Sequence, residues 1–232
     1  MVPHARGCAR GCTVSQQQAP KRDLNNLLAQ AGLFPLDQSQ VSRFAEYMDL
    51  LMRWNARTNL TAVRQVDDIH RIHFVECIAC AQALPVNVRS LLDLGSGAGF
   101  PGVPIAICRP EIAVTLAESQ AKKAAFLNEV RRSLALHFTV FTGRAESINA
   151  SFDCVTLRAV DQMGKAIQSG ARLLNQRGLL AVMTTASESA DVQRSAGDKI
   201  WWQEPLRLPA SDRRVLLIGE LIGSGADVPR GT

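Results

Sequence analysis

The chain has 232 residues, 47% hydrophobic and 20% charged, with a formal net charge of +5. That length suits one large domain, or one domain with an extension, and the composition excludes a wholly disordered chain. No apolar run reaches the roughly 18–20 residues a bilayer span needs, and no fixed period recurs, so membrane-spanning, collagen-like and repeat architectures are excluded too.

Taken in chain order, residues 1–22 read as a disordered basic tail, because Arg6, Arg10, Lys21 and Arg22 stand there without any acid or periodicity. They lack the apolar core of a secretory signal. The six cysteines (Cys8, Cys12, Cys77, Cys80, Cys108 and Cys154) follow no disulfide-framework spacing. A cytoplasmic protein with reduced thiols is expected.

Residues 23–89 read as a helical cap. A short helix is predicted over 23–33. After Pro35, the apolar positions Val41, Phe44, Ala45, Met48, Leu51 and Met52 form an amphipathic stripe that should end near Asn55. A further helix is predicted over 66–84, with Asp67 and Asp68 favourable in its first turn.

The style changes at Ser90. Strands are predicted over 90–94, 113–117, 138–142, 154–157, 178–184 and 214–219, and helices over 101–108, 120–136 and 162–174. This alternation means βαβ units and a mainly parallel sheet covered on both faces. Residues 187–199 are polar, and Trp201 and Trp202 open an edge strand. The fold class is therefore α/β, a doubly wound domain over 90–232 with a helical N-terminal extension packed as one unit with it.

The most informative stretch is Leu91-Leu92-Asp93-Leu94-Gly95-Ser96-Gly97-Ala98-Gly99-Phe100-Pro101-Gly102. A buried strand enters a glycine-rich turn, and a helix follows with proline near its start. Such a turn lets backbone approach a ligand, at the strand ends where open α/β sheets bind ligands. The loop reads Gly-x-Gly-x-Gly from Gly95, and from Gly97 also Gly-x-Gly-x-x-Gly, the dinucleotide fingerprint. Glu118, at the end of the second strand, would grip a ribose hydroxyl pair in either case. Asp93 would meet a pyrophosphate unfavourably but could help anchor an ammonium group. No second substrate domain follows. Both points favour S-adenosylmethionine over a nicotinamide cofactor.

The run from Asp93 through Gly102-Val-Pro-Ile, followed by Arg109-Pro110-Glu111, resembles the glucose-inhibited division protein B family, the bacterial small-subunit methyltransferase G enzymes. The resemblance extends to Trp54-Asn55, Asn59-Leu60-Thr61-Ala62, His73, Lys122-Lys123, Phe126-Leu127, Arg144-Ala145-Glu146 and Arg158-Ala159. It implies a Rossmann-like S-adenosylmethionine-dependent methyltransferase fold. The implied reaction is methyl transfer to N7 of a guanine in 16S rRNA (530-loop region) of the small ribosomal subunit. Carried over by position, Gly95, Phe100, Ala145, Glu146 and Arg158 would contact the cofactor, the Ala145–Glu146 pair at its adenine; Gly97, in the same turn, is a further cofactor-binding candidate. The chain departs from the family pattern at Glu118, Glu76-Cys77, Leu157 and Met183-Thr184-Thr185, where the family often has Asp, Asp-Ser, Ser and Lys-Gly.

Guanine N7 has an in-plane lone pair and no proton, so alignment can replace a general base. No catalytic acid or base and no metal ligand is nominated. Cys154 reads as a buried strand residue rather than a nucleophile, and Cys77 and Cys80 as helix packing rather than metal ligands. His73 reads as a structural hydrogen-bonder or, by the resemblance, a functional residue. Arg53, Arg57 and Arg64 around Trp54, with Lys122 and Lys123, are candidate RNA contacts. Arg131 and Arg132 extend that helix face, which could equally be only solvated. Trp201 and Trp202 read as edge-strand packing. A monomer is the default. A nicotinamide oxidoreductase and a non-catalytic RNA-binding protein are the alternatives.

Overall fold

The structure, a computed structural model, describes residues 23–62, 65–209 and 211–222. The basic tail and Arg64 lie outside the described residues.

Capping side chains set the first helices. Asp23 caps α1 (Leu24–Gln30) by accepting from the Asn25 N–H at 3.1 Å. Asp37 and Gln40 form a reciprocal capping box at the start of α2 (Gln38–Asn55). The buried stripe of α2 includes Phe44, Met48 and Leu51, but it runs through Tyr47 and Leu50, and Ala45 is exposed. The large side chains win the inner face because they bury more apolar area. The helix expected over 66–84 is a composite of α3 (Val66–Asp68), a π-helical stretch (Ile69–Val75) and α4 (Glu76–Ala83).

The remaining elements are β1 (Ser90–Leu94), α5 (Gly102–Cys108), β2 (Ala113–Glu118), α6 (Ala121–Ser133), β3 (Phe138–Thr142), β4 (Phe152–Arg158) and α7 (Met163–Arg172). They continue with β5 (Leu174–Thr185), α8 (Ser189–Ala196), β6 (Ile200–Trp202), β7 (Leu206–Arg207) and β8 (Arg214–Leu221). The strand order is β3-β2-β1-β4-β5-β8-β6. The first five strands pair in parallel. β8 runs antiparallel against β5, and β6 and β7 both lie along its outer edge. The switch point of a doubly wound sheet falls between β1 and β4. The polar segment 187–199 holds α8, which sequence periodicity left out. Trp201 and Trp202 sit on the outermost strand, as expected.

Successive strand residues point to opposite faces. Leu91, Val114 and Leu116 join one core with Leu28, Phe44, Tyr47, Phe74 and Phe126. Leu92, Val155, Val182 and Leu217 join a second core under α7 and α8. The N-terminal helices therefore share a core with the sheet. Cys77, Cys80, Cys108 and Cys154 are free thiols. No helix among the described residues is long and apolar enough to cross a membrane.

Candidate functional site

β1 carries the chain to the carboxyl edge of the sheet, where it turns back into α5. Gly95, Gly97 and Gly99 have left-handed backbones, at φ +74°, +58° and +96°. That region costs a residue with a side chain about 1–2 kcal/mol.

The three glycine amides of the Gly97 register are consumed internally. The Gly97 N–H donates to Glu118 Oε2 at 2.9 Å, the Gly99 N–H to the Ser96 carbonyl at 2.7 Å, and the Gly102 N–H to Asp93 Oδ2 at 3.2 Å. A pyrophosphate needs such amides free. Here two of the three face carboxylates, which would also repel an anion. The Gly97 register is therefore not a phosphate cradle.

Asp93 is 1% exposed. Thr156 Oγ1 donates to its Oδ1 at 2.8 Å. Burial pushes its carboxyl up to about 6, against the pull of these donors. Asp93 shares the strand face of Leu91, so it points beneath α5 and braces the loop from below; both oxygens bond the fold itself. Glu118, buried at the end of β2, accepts from Gly97 and also from the Gln120 N–H at 2.7 Å.

Two cavities open along this edge. One, of about 420 Å³, is lined by Gly95, Ser119, Arg144, Ala145, Glu146 and Val160 among others. The other, of about 430 Å³, is lined by Val160, Met163, Met183, Glu188 and Arg214 among others. The loop between β4 and α7 divides them, and Val160 faces both. Ala159 at φ +49° and Gln162 at φ +54° bracket that loop, two left-handed non-glycine residues within four positions. Backbone strain of this kind gathers at binding sites. No sequence signal marked it.

Of the sequence-predicted cofactor residues, Gly95, Ala145 and Glu146 share one cavity. Asp93, Gly97, Phe100, Glu118 and Arg158 are not among its lining residues. The Phe100 ring stacks on His73 with centroids 4.6 Å apart, and the Arg158 guanidinium lies 5.8 Å from the Phe100 centroid. Arg158 donates to the Ile72 carbonyl at 2.8 Å, to Glu76 Oε2 at 3.1 Å and to Cys77 Sγ at 3.0 Å. Arg214 Nε approaches the same Glu76 oxygen at 3.0 Å. Sequence reasoning singled out neither the pairing of Glu76 with two arginines nor Tyr47, whose hydroxyl donates to the Ala98 carbonyl at 2.5 Å and pins the loop from α2.

His73 bonds Thr61 Oγ1 through Nε2 at 3.0 Å. Burial and the two arginines drive its imidazole down to about 3, so it is neutral near pH 7. Burial pushes the Cys77 thiol up to about 12, and it raises Cys80 and Cys154 as well. Among the described residues no group of three or more His, Cys, Asp or Glu is placed to hold a metal.

Arg53 lies on α2, Arg57 in the turn that follows it, and Lys122 and Lys123 on α6, which packs against α2. Trp54 of α2 donates to Glu129 of α6 at 3.0 Å and meets Phe126 at 5.6 Å between centroids. Arg53, Arg57 and Lys122 are exposed and Lys123 is half-buried. None of the four has an ion pair among the described residues.

The family model for rRNA small subunit methyltransferase G matches residues 40–205. A ribosomal RNA small subunit methyltransferase G of Roseiflexus sp. (strain RS-1) is 36% identical over 196 residues, covering 79% of this chain and 84% of the relative. The protein of that name from Bacillus subtilis (strain 168) is 29% identical over 219 residues, covering 88% and 91%. Among solved structures, a SAM-dependent methyltransferase from Aquifex aeolicus superposes with TM-score 0.57 at 13% identity, covering 71% of this chain and 98% of that one. M. jannaschii TYW2 in complex with AdoMet gives 0.53 at 13% identity, covering 64% and 75%. At such identities these structures share the fold.

Proposed function

The chain belongs to the rRNA small subunit methyltransferase G family, and from that premise we propose that it transfers the methyl group of S-adenosylmethionine to N7 of a guanine in the 530-loop region of 16S rRNA. It acts as a monomer in the cytoplasm.

The residues fit this cofactor. A sulfonium cofactor with an ammonium and no phosphate suits a loop whose amides are already held by Asp93 and Glu118. The first cavity lies within the roughly 300–1,000 Å³ typical of small-molecule sites. Ala145 and Glu146 would address the adenine, Glu118 the ribose, and Gly95, Gly97, Phe100 and Arg158 would complete the site. Asp93 supports the amino-acid end through the loop it braces. When bound, the cofactor supplies an electrophilic methyl group.

The observation that carries the N7 reading is the state of the groups around the loop that could move a proton. Asp93 and Glu118 spend their oxygens on backbone and Thr156, His73 has lost its basicity, and the Cys77 thiol is held protonated. An acceptor with a ready lone pair needs none of them, so the chain's work is to align it.

Incubation with small subunits from cells lacking this activity tests the reading. Borohydride and aniline cleave RNA at 7-methylguanine, so one new cut in the 530 loop is expected. Methylated RNA that resists cleavage overturns the N7 reading, and a cut elsewhere overturns the loop. Arg53, Arg57, Lys122 and Lys123 would contact phosphates. Lys122→Ala with Lys123→Ala should raise KM for the subunit and flatten the salt dependence by about one unit per contact. Cofactor affinity should stay within about twofold; an equal loss in both would mean the lysines serve the fold.

A further inference from the structure

We propose that the second cavity receives the base to be methylated, and that Glu188 reads it as guanine by accepting from N1–H and the N2 amino group. This rests on the guanine-N7 reading above. The cavity opens at the ends of β4 and β5, beside the first cavity and sharing its Val160 wall. At about 430 Å³ it has room for a purine nucleoside. Met163, Ile167, Met183 and Val192 supply apolar surface for the faces of a base. An enzyme acting on a base takes it out of its stack into such a pocket and reads its Watson–Crick edge.

Glu188 is built for that edge. Its Oε2 accepts from the hydroxyls of Thr184 and Thr185, each at 2.8 Å, and from the Thr185 N–H at 3.3 Å. Oε1 takes none of these bonds. The same donors, with Arg214 nearby, hold the carboxyl below its ordinary range, so it is ionised and only accepts. The other carboxylate of the lining, Asp191, is engaged by Arg194. Guanine carries N1–H and the N2 amine on one edge and N7 on the other. A base gripped by its Watson–Crick edge from the turn just before α8 therefore presents N7 away from Glu188, toward the cofactor's side. Adenine offers a lone pair at N1, which a carboxylate repels. Methylation at N7 leaves the base cationic, so the attraction to Glu188 grows along the reaction.

Glu188→Gln tests this without dismantling the 3-10 turn Ala186–Glu188, because glutamine serves the same position of the capping box that Glu188 forms there with Thr185. Ser195→Leu fills the cavity from α8 without touching Glu188. Each variant should lower kcat/KM for small subunits by about tenfold to a hundredfold, with S-adenosylmethionine affinity unchanged by calorimetry. Independently of activity, guanosine monophosphate should shift the NMR methyl signals of Met163 and Met183 in the wild type with S-adenosylhomocysteine bound. Adenosine monophosphate should not, and Glu188→Gln should abolish the shift. If the wild type makes 7-methylguanine while both variants keep its kcat/KM, the pocket assignment is overturned. It is overturned equally if both nucleotides shift the methionines alike, or if the variants lose cofactor affinity along with rRNA activity. A wild type inert on rRNA that still shows the guanine-specific shifts would overturn the function and leave the pocket standing.

Discussion

The two halves of the glycine loop do different work. A Cβ on Gly95 would meet only the Val160 side chain, at 3.0 Å, and one on Gly97 nothing nearer than 3.9 Å. A Cβ on Gly99 would stand 2.6 Å from Val103 and 2.9 Å from the Tyr47 hydroxyl, and one on Gly102 2.2 Å from Leu116 and 2.8 Å from Asp93. In the first half Gly95 lines a cavity and Gly97 has open space beside it, whereas the second half is packed into the core. A glycine motif that looks uniform in sequence is thus cavity wall at one end and a close-packing device at the other.

Substitutions can break that division. Gly102→Ala forces methyl against Leu116 and the buried carboxylate, and should cost about 3 kcal/mol of stability by urea denaturation. A loss confined to cofactor binding would place Gly102 with the first half. Gly95→Val should do the reverse, weakening cofactor affinity at least about hundredfold while the backbone penalty stays near 1–2 kcal/mol. Undiminished affinity by calorimetry would move the site away from Gly95.

Asp93 sharpens the core half. Its folded-state carboxyl titrates near 6, above the ordinary 3.8, so the folded chain holds that proton more tightly. Its stabilising contribution is whole below about pH 4 and drains away as pH rises to about 6, amounting to about 3 kcal/mol. Asparagine does not titrate. The difference in unfolding free energy between wild type and Asp93→Asn should therefore vary across that window and level off above it; a constant difference sinks this account. Gly97→Ala should be mildest, with about 1 kcal/mol lost to its left-handed backbone and cofactor affinity within about threefold. A larger loss of affinity would mean that the ligand presses on Gly97 itself.

Much of the sheet was legible because its strands are short apolar runs between breakers, and β1 and β3 begin and end where expected. α8 was not, since its one buried residue, Val192, makes no stripe. The π-helical stretch was hidden for a different reason: one added residue per turn leaves an apolar helix looking apolar. Gly95, Ala145 and Glu146, which line the first cavity, were singled out by the glycine pattern and the family resemblance. The downward turn of Asp93 could have been read from its two-residue offset to Leu91. The second cavity could not, because the loop after β4 and the elements α7, β5, α8 and β8 each supply some of its wall.

Glu76 carries a consequence for how such a chain can be recombined. Its carboxylate belongs to the N-terminal helices, while Arg158 and Arg214, which converge on it, belong to strands at the centre and far side of the sheet. A chimera spliced at residue 89 to the helices of a distant relative would separate a buried anion from two cations whose positions it did not choose. Orphaning a buried ion in this way costs about 3–5 kcal/mol, on the scale of a small protein's whole stability. The helices and the sheet can therefore be exchanged between lineages only together, or along with compensating changes at all three positions.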